Sequence, residues 1–113
     1  KDRLGIAYAD LRKANPRIIL ASISGFGQDG PYNGRAGFDQ IAQGMGGLMW
    51  VTGLPGHGPV RAGAAVADTT AGLYAAIGIL VALNERARSG EGQWVHTSLL
   101  QAQIALCDFQ AAR

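Results

Sequence analysis

Apolar residues recur at positions 38, 41, 42, 45, 48 and 49, the i, i+3, i+4, i+7 spacing of one helical face. That pattern predicts an amphipathic helix over 38–51, weakened by Gly44, Gly46 and Gly47, each costing up to ~1 kcal/mol relative to alanine. A helix that keeps such glycines is expected to lie close to another backbone or to a ligand. Upstream, Leu4, Tyr8 and Leu11 predict a helix over 2–14, which Asn15-Pro16 stops. The apolar stretch that follows predicts a strand over 17–24, and 25–37 reads as a loop. Downstream, 52–59 is a glycine- and proline-rich loop, and 60–67 is a short extended segment or connector. Asp68-Thr69-Thr70 opens a long helix to about residue 88. It is apolar on nearly every side from 73 to 83 and so is expected to be buried among neighbours. A turn over 89–92, a strand over 93–97 and a last helix capped by Ser98 complete the pattern. Helices alternating with strands make this an α/β chain.

Composition narrows the class. Of the 113 residues 48% are apolar and only 16% charged, as in a packed interior and unlike a disordered region. The net charge is +2, with Lys and Arg scattered, so no nucleic-acid groove is indicated. The uninterrupted apolar run 71–83 is shorter than the ~18 residues of a membrane span, so no membrane partner is expected. One cysteine, Cys107, cannot form an internal disulfide, and it fits a reducing, cytoplasmic compartment. Cys107 reads as a small core residue, and His57 and His96 as isolated loop or surface residues, so no metal site is expected. The chain begins at Lys1 and stops at Arg113 within a predicted helix, which makes 1–113 an expected internal segment of a longer protein.

Two motifs bear on chemistry. Gly25 to Gly30, GFGQDG, spells G-x-G-x-x-G behind a strand. A dinucleotide site needs a helix opening at the third glycine, but Pro31-Tyr32-Asn33-Gly34 is turn chemistry. No acidic residue stands in the right context about 20 residues on. The glycines therefore read as a strand-to-loop exit. The second motif is Asp68, at the expected first residue of the long helix, among Gly63, Ala64, Ala65 and Ala67. One reading makes it an N-cap, worth ~1 kcal/mol. The other makes it a nucleophile: a helix N-terminus favours negative charge, small neighbours admit a substrate, and a carboxylate can attack an activated acyl group. The two readings are compatible.

The blocks SGFGQDGPY, GFDQIAQ, ADTTAGLYA and SGEGQWV, in this order and at compatible spacing, resemble the family III CoA-transferases over about residues 11–105. The resemblance implies a piece of their large Rossmann-like domain, in a protein that forms an interlocked homodimer. It implies coenzyme A, delivered as acyl-CoA, and a carboxylic acid acceptor. Asp68 matches the family's catalytic aspartate, which passes through an acyl anhydride and an aspartyl-CoA thioester. Ala36, Gly37, Phe38 and Asp39 match its contacts to CoA. Such a route requires that water be kept from the site. Phe38 could equally anchor its helix in the core. Met45, Met49 and Trp50 could line an acyl pocket, although core packing is the plainer expectation. The 2-methylacyl-CoA racemases share these blocks but carry a histidine where Phe38 stands, and phenylalanine cannot transfer a proton. His96 departs from the acidic residue often found there. The alternatives are a racemase or a non-catalytic fragment that only packs or dimerises. The remaining CoA-binding residues of the family and its glycine loop fall outside this sequence, so the piece alone is expected to be inactive.

Overall fold

The computed structural model describes residues 4–112. In order these form α1 (Tyr8–Ala14), β1 (Leu20–Ser24), α2 (Asp39–Met45), α3 (Leu48–Val51), α4 (Val66–Ser89), β2 (Trp94–Ser98) and α5 (Leu99–Cys107), then a 3-10 turn over Asp108–Ala112. The first helix is shorter than expected: Asp2 lies outside the described residues, and among those described it begins only at Tyr8, after an extended Ala7. β1 begins later than expected because a turn follows α1: the Ile18 amide donates to the Asn15 carbonyl at 3.0 Å, and the Arg17 amide to the Asn15 side chain at 3.0 Å. β1 and β2 pair directly. Leu20 N donates to Gln93 O at one end and Leu100 N to Gly25 O at the other, so the pairings advance together and the strands are parallel. Parallel neighbours need a long crossover, and the 39–89 helices lie within it.

The backbone divides into two compact units. One combines the described residues up to Ser22 with Ala75–His96; the other combines Ile23–Tyr74 with the described residues from Thr97 onward. In the first, Gly92 lies so close to Ile18 that a Cβ there would collide with the Ile18 carbonyl, and its amide donates to Pro16 O at 2.8 Å. Tyr8 stacks on Trp94 with centroids 6.4 Å apart and donates its hydroxyl to Gly92 O at 2.9 Å. Gly78 of α4 admits Val95 so closely that an added Cβ would sit 2.5 Å from its Cγ1. Gly90, at φ +79°, ends α4 in the left-handed conformation usual after a helix C-terminus.

In the second unit, Ala42 of α2, Ala67 and Ala71 of α4, and Leu99 and Ala102 of α5 form one buried cluster. Ser98 caps α5 as expected, its hydroxyl accepting from Gln101 N at 3.1 Å. The helix expected over 38–51 is two helices. Gly47 takes a left-handed φ of +87°, which breaks the run, and Gly46 presses on Gln103 of α5, leaving no space for a Cβ. The expected apolar face also differs. Phe38, Ile41 and Met45 are exposed, whereas Ala42 and Gln43 are buried. Cys107 is buried, as expected of a core residue.

α4 departs from expectation too. Its buried residues are small ones, Ala67, Ala71, Ala75 and Ala82, while Leu73, Ile77, Leu80 and Val81 are each more than half exposed (60, 56, 65 and 62%). Small residues let the backbone of α4 approach its neighbours, and the large side chains project away from them. The helix as a whole, with a mean hydropathy of 1.7 over its best window, is long and apolar enough to cross a membrane, although the run 71–83 is not. A core helix of a water-soluble domain meets the same criterion.

Candidate functional site

The segment from Gly25 to Asp39 leads into the site. Gly25 and Gly37 meet backbone to backbone: a Cβ on Gly25 would lie 2.5 Å from the Gly37 Cα. Gly27 and Gly30 adopt φ of +102° and +85°. Within the loop, Phe26 meets Tyr32 edge-on at 5.5 Å, and the Arg35 guanidinium lies over the Tyr32 ring at 4.4 Å. Turns follow Gly30, and no helix opens before Asp39. The three glycines of GFGQDG thus have conformational reasons, two by positive φ and one by close approach. None of them opens a helix as a pyrophosphate site requires.

Of the four residues matched to CoA contacts, Ala36 is exposed, Gly37 holds the loop closed, and Phe38 precedes α2 with 67% of its surface exposed. Phe38 is therefore no core anchor among the described residues. Asp39, the first residue of α2, is engaged on both oxygens. Oδ1 accepts from the Ala67 amide at 2.7 Å and from the Asp68 amide at 3.4 Å, and Oδ2 accepts from Gln43 Nε2 at 2.6 Å. Asp39 and Asp68, far apart in sequence, are thus brought together at the start of α4.

Asp68 is not the cap of its helix. α4 begins at Val66, two residues earlier than expected, which makes Asp68 its third residue. The first-turn amides that an N-cap side chain would satisfy are taken by Asp39 from another helix. The Asp68 carboxylate itself is exposed, and among the described residues it has no hydrogen-bond or ion-pair partner. Freed from capping, it sits in a first turn, where the helix dipole favours negative charge. Ala67 beside it is fully buried, while Gly63, Ala64 and Ala65 are exposed. The described residues leave Asp68 open to solvent, so they do not supply the expected exclusion of water.

Sequence reasoning missed Gln43. It is fully buried, and its carboxamide makes three hydrogen bonds: Nε2 donates to Asp39 Oδ2 (2.6 Å) and to Ala64 O (3.2 Å), and Oε1 accepts from Ala62 N (2.8 Å). The available signal was the i,i+4 spacing of Asp39 and Gln43, a pairing that helices support. Two surface grooves lie elsewhere. Trp50, 76% exposed, borders both, one along the 51–58 loop and one beside Met45 and Cys107, and neither is lined by Asp39 or Asp68. His57 is exposed, and exposed His96 packs against Trp94 with ring centroids 5.3 Å apart. Among the described residues no group of His, Cys, Asp and Glu is placed to hold a metal ion.

Both the sequence and the fold have known relatives. The chain is 48% identical over 104 residues to the succinate–glutarate CoA-transferase of Agrobacterium fabrum, covering 92% of this chain and 26% of that protein. It is 42% identical over 106 residues to the formyl-CoA:oxalate CoA-transferase of Streptomyces avermitilis, covering 94% and 26%. The fold superimposes on the crystal structure of a CAIB/BAIF family protein from Brucella suis with a TM-score of 0.93 and 44% identity, over 98% of this chain and 29% of that one. The chain thus spans about a quarter of the length of the curated relatives it matches. The profile of CoA-transferase family III matches residues 1–113, and the chain belongs to that family.

Proposed function

We propose that the chain is an internal segment of the large, Rossmann-like domain of an acyl-CoA:carboxylate CoA-transferase, with Asp68 as its nucleophile. The observation that carries the assignment is the Asp68 carboxylate in the first turn of α4, without a partner among the described residues and released from capping because Asp39 binds the amides there.

An Asp68 carboxylate oxygen attacks the thioester carbonyl of acyl-CoA, the C–S bond breaks, and CoA thiolate leaves a mixed aspartyl anhydride. The thiolate attacks the Asp68 carbonyl, expelling the donor acid as carboxylate and forming an aspartyl-CoA thioester. The acceptor carboxylate attacks that thioester, the C–S bond breaks, and CoA thiolate leaves a new anhydride between Asp68 and the acceptor. The returning thiolate attacks its acceptor carbonyl, releasing the new acyl-CoA and restoring Asp68. Neither a metal nor net proton transfer is needed. Water would hydrolyse both intermediates, so the proposal assigns the cover over Asp68 to the remainder of the domain and to the second subunit of an interlocked homodimer.

Coenzyme A lies, in this reading, against the 36–39 junction. There Ala36 is exposed and Phe38 offers a large exposed ring, while Gly37 is packed against Gly25 and Asp39 is committed to α4. The relatives act on succinate, glutarate and oxalate by name, which makes small dicarboxylic acids the first acceptors to assay. Phe38 supplies no proton-transfer group, which disfavours a racemase. The compartment assigned is the cytoplasm.

The test is chemical trapping. The full-length protein, incubated with succinyl-CoA and quenched with hydroxylamine or borohydride, is expected to carry a modification at Asp68 on peptide mass spectrometry. Asp68→Ala should lose the adduct and essentially all transfer. Full activity without an adduct defeats the assignment, as does an active Asp68→Ala enzyme.

A further inference from the structure

We propose that Gln43 is a positioning residue for Asp68, an inference that rests on the nucleophile assignment above. Its carboxamide is fully buried, and both of its hydrogen-bonding ends are used. The orientation of the amide is fixed by its partners: Asp39 Oδ2 and Ala64 O can only accept, and Ala62 N can only donate. Two consequences follow from the one side chain. It pins the connector at Ala62 and Ala64, immediately before α4. It also turns the Asp39 carboxylate so that the other oxygen meets the Ala67 amide at 2.7 Å and the Asp68 amide at 3.4 Å. The backbone of Asp68 is therefore held through a relay that begins at Gln43, although Gln43 belongs to a different helix.

A nucleophile gains from such fixing because attack requires the oxygen near the thioester carbonyl in a narrow range of approach. A misplacement of about 1 Å can cost on the order of 100-fold. Removing the relay should slow formation of the covalent adduct while leaving CoA recognition intact. A role confined to folding would lower stability without separating kcat from KM.

The experiment uses the full-length enzyme with succinyl-CoA and three variants. Gln43→Met keeps the length and removes every hydrogen bond. Gln43→Glu keeps the acceptor for Ala62 N but loses both donors and places a second carboxylate against Asp39. Asp39→Asn combined with Gln43→Glu reverses the polarity of the pair. The new amide at position 39 can accept from Ala67 N and donate to the new carboxylate at position 43, which still accepts from Ala62 N. Single-turnover labelling of Asp68 is expected to slow ~10–100-fold in Gln43→Met and Gln43→Glu, with KM for succinyl-CoA changed less than about twofold. The double variant should recover much of the Gln43→Glu loss. Should Gln43→Met fail to fold, Gln43→Glu and the double variant carry the test. Wild-type labelling rates in a folded single variant overturn the proposal, as does a rise in KM at constant kcat or a double variant no faster than Gln43→Glu. If the wild-type enzyme labels at Asp68 and the variants label equally fast, only the positioning role fails. If the wild-type enzyme is active without labelling at Asp68, the nucleophile assignment fails and this inference falls with it.

Discussion

At the residue scale, capping roles are distributed differently from what the residues themselves suggest. Asp68 has the side chain and local sequence of an N-cap, but Asp39 makes the hydrogen bonds to the α4 amides. Where a cap is local, the sequence reads correctly. Ser98 was legible because its target amide, Gln101 N, is three residues away. Ser98→Ala is expected to lower stability by ~1 kcal/mol, measured as a fall in the urea midpoint at unchanged m-value. The place of Asp68 near a helix start was also legible, since an aspartate among small residues is a local pattern, whereas its proposed role rests on the family resemblance. Gln43 was not, because its meaning depends on Ala62 and Ala64, which only the folded backbone brings to it.

At the scale of elements, hydrophobic period located nearly every helix and strand, and the errors lie where backbone geometry outweighs it. The apolar spacing runs unbroken through 38–51, yet the chain turns at Gly46 and Gly47. Gly46 lacks space for a side chain, whereas Gly47 has nothing within 4 Å of an added Cβ but a φ of +87°. Gly47→Ala therefore isolates the conformational cost. It is expected to destabilise by ~1 kcal/mol, and Gly46→Ala by more, since it adds a collision with Gln103. Paired urea denaturation curves check the order. The start of α4 was read two residues late because Val66 and Ala67 carry no helix-start signal of their own.

At the scale of the whole molecule, the α/β class and the family were legible from blocks of sequence, but burial was not. A helix apolar on all sides was expected to be covered, whereas α4 exposes Leu73, Ile77, Leu80 and Val81. Apolar surface of this kind drives association. The 113-residue chain prepared alone is expected to self-associate as concentration rises, seen by sedimentation velocity, and to turn over no succinyl-CoA. A well-behaved monomer with transferase activity would contradict both expectations. The touching backbones of Gly25 and Gly37 have a consequence of a different kind. They pinch the excursion at its base, where even one added methyl group, as in Gly25→Ala, has no room and must push the exit of β1 off the entry to α2.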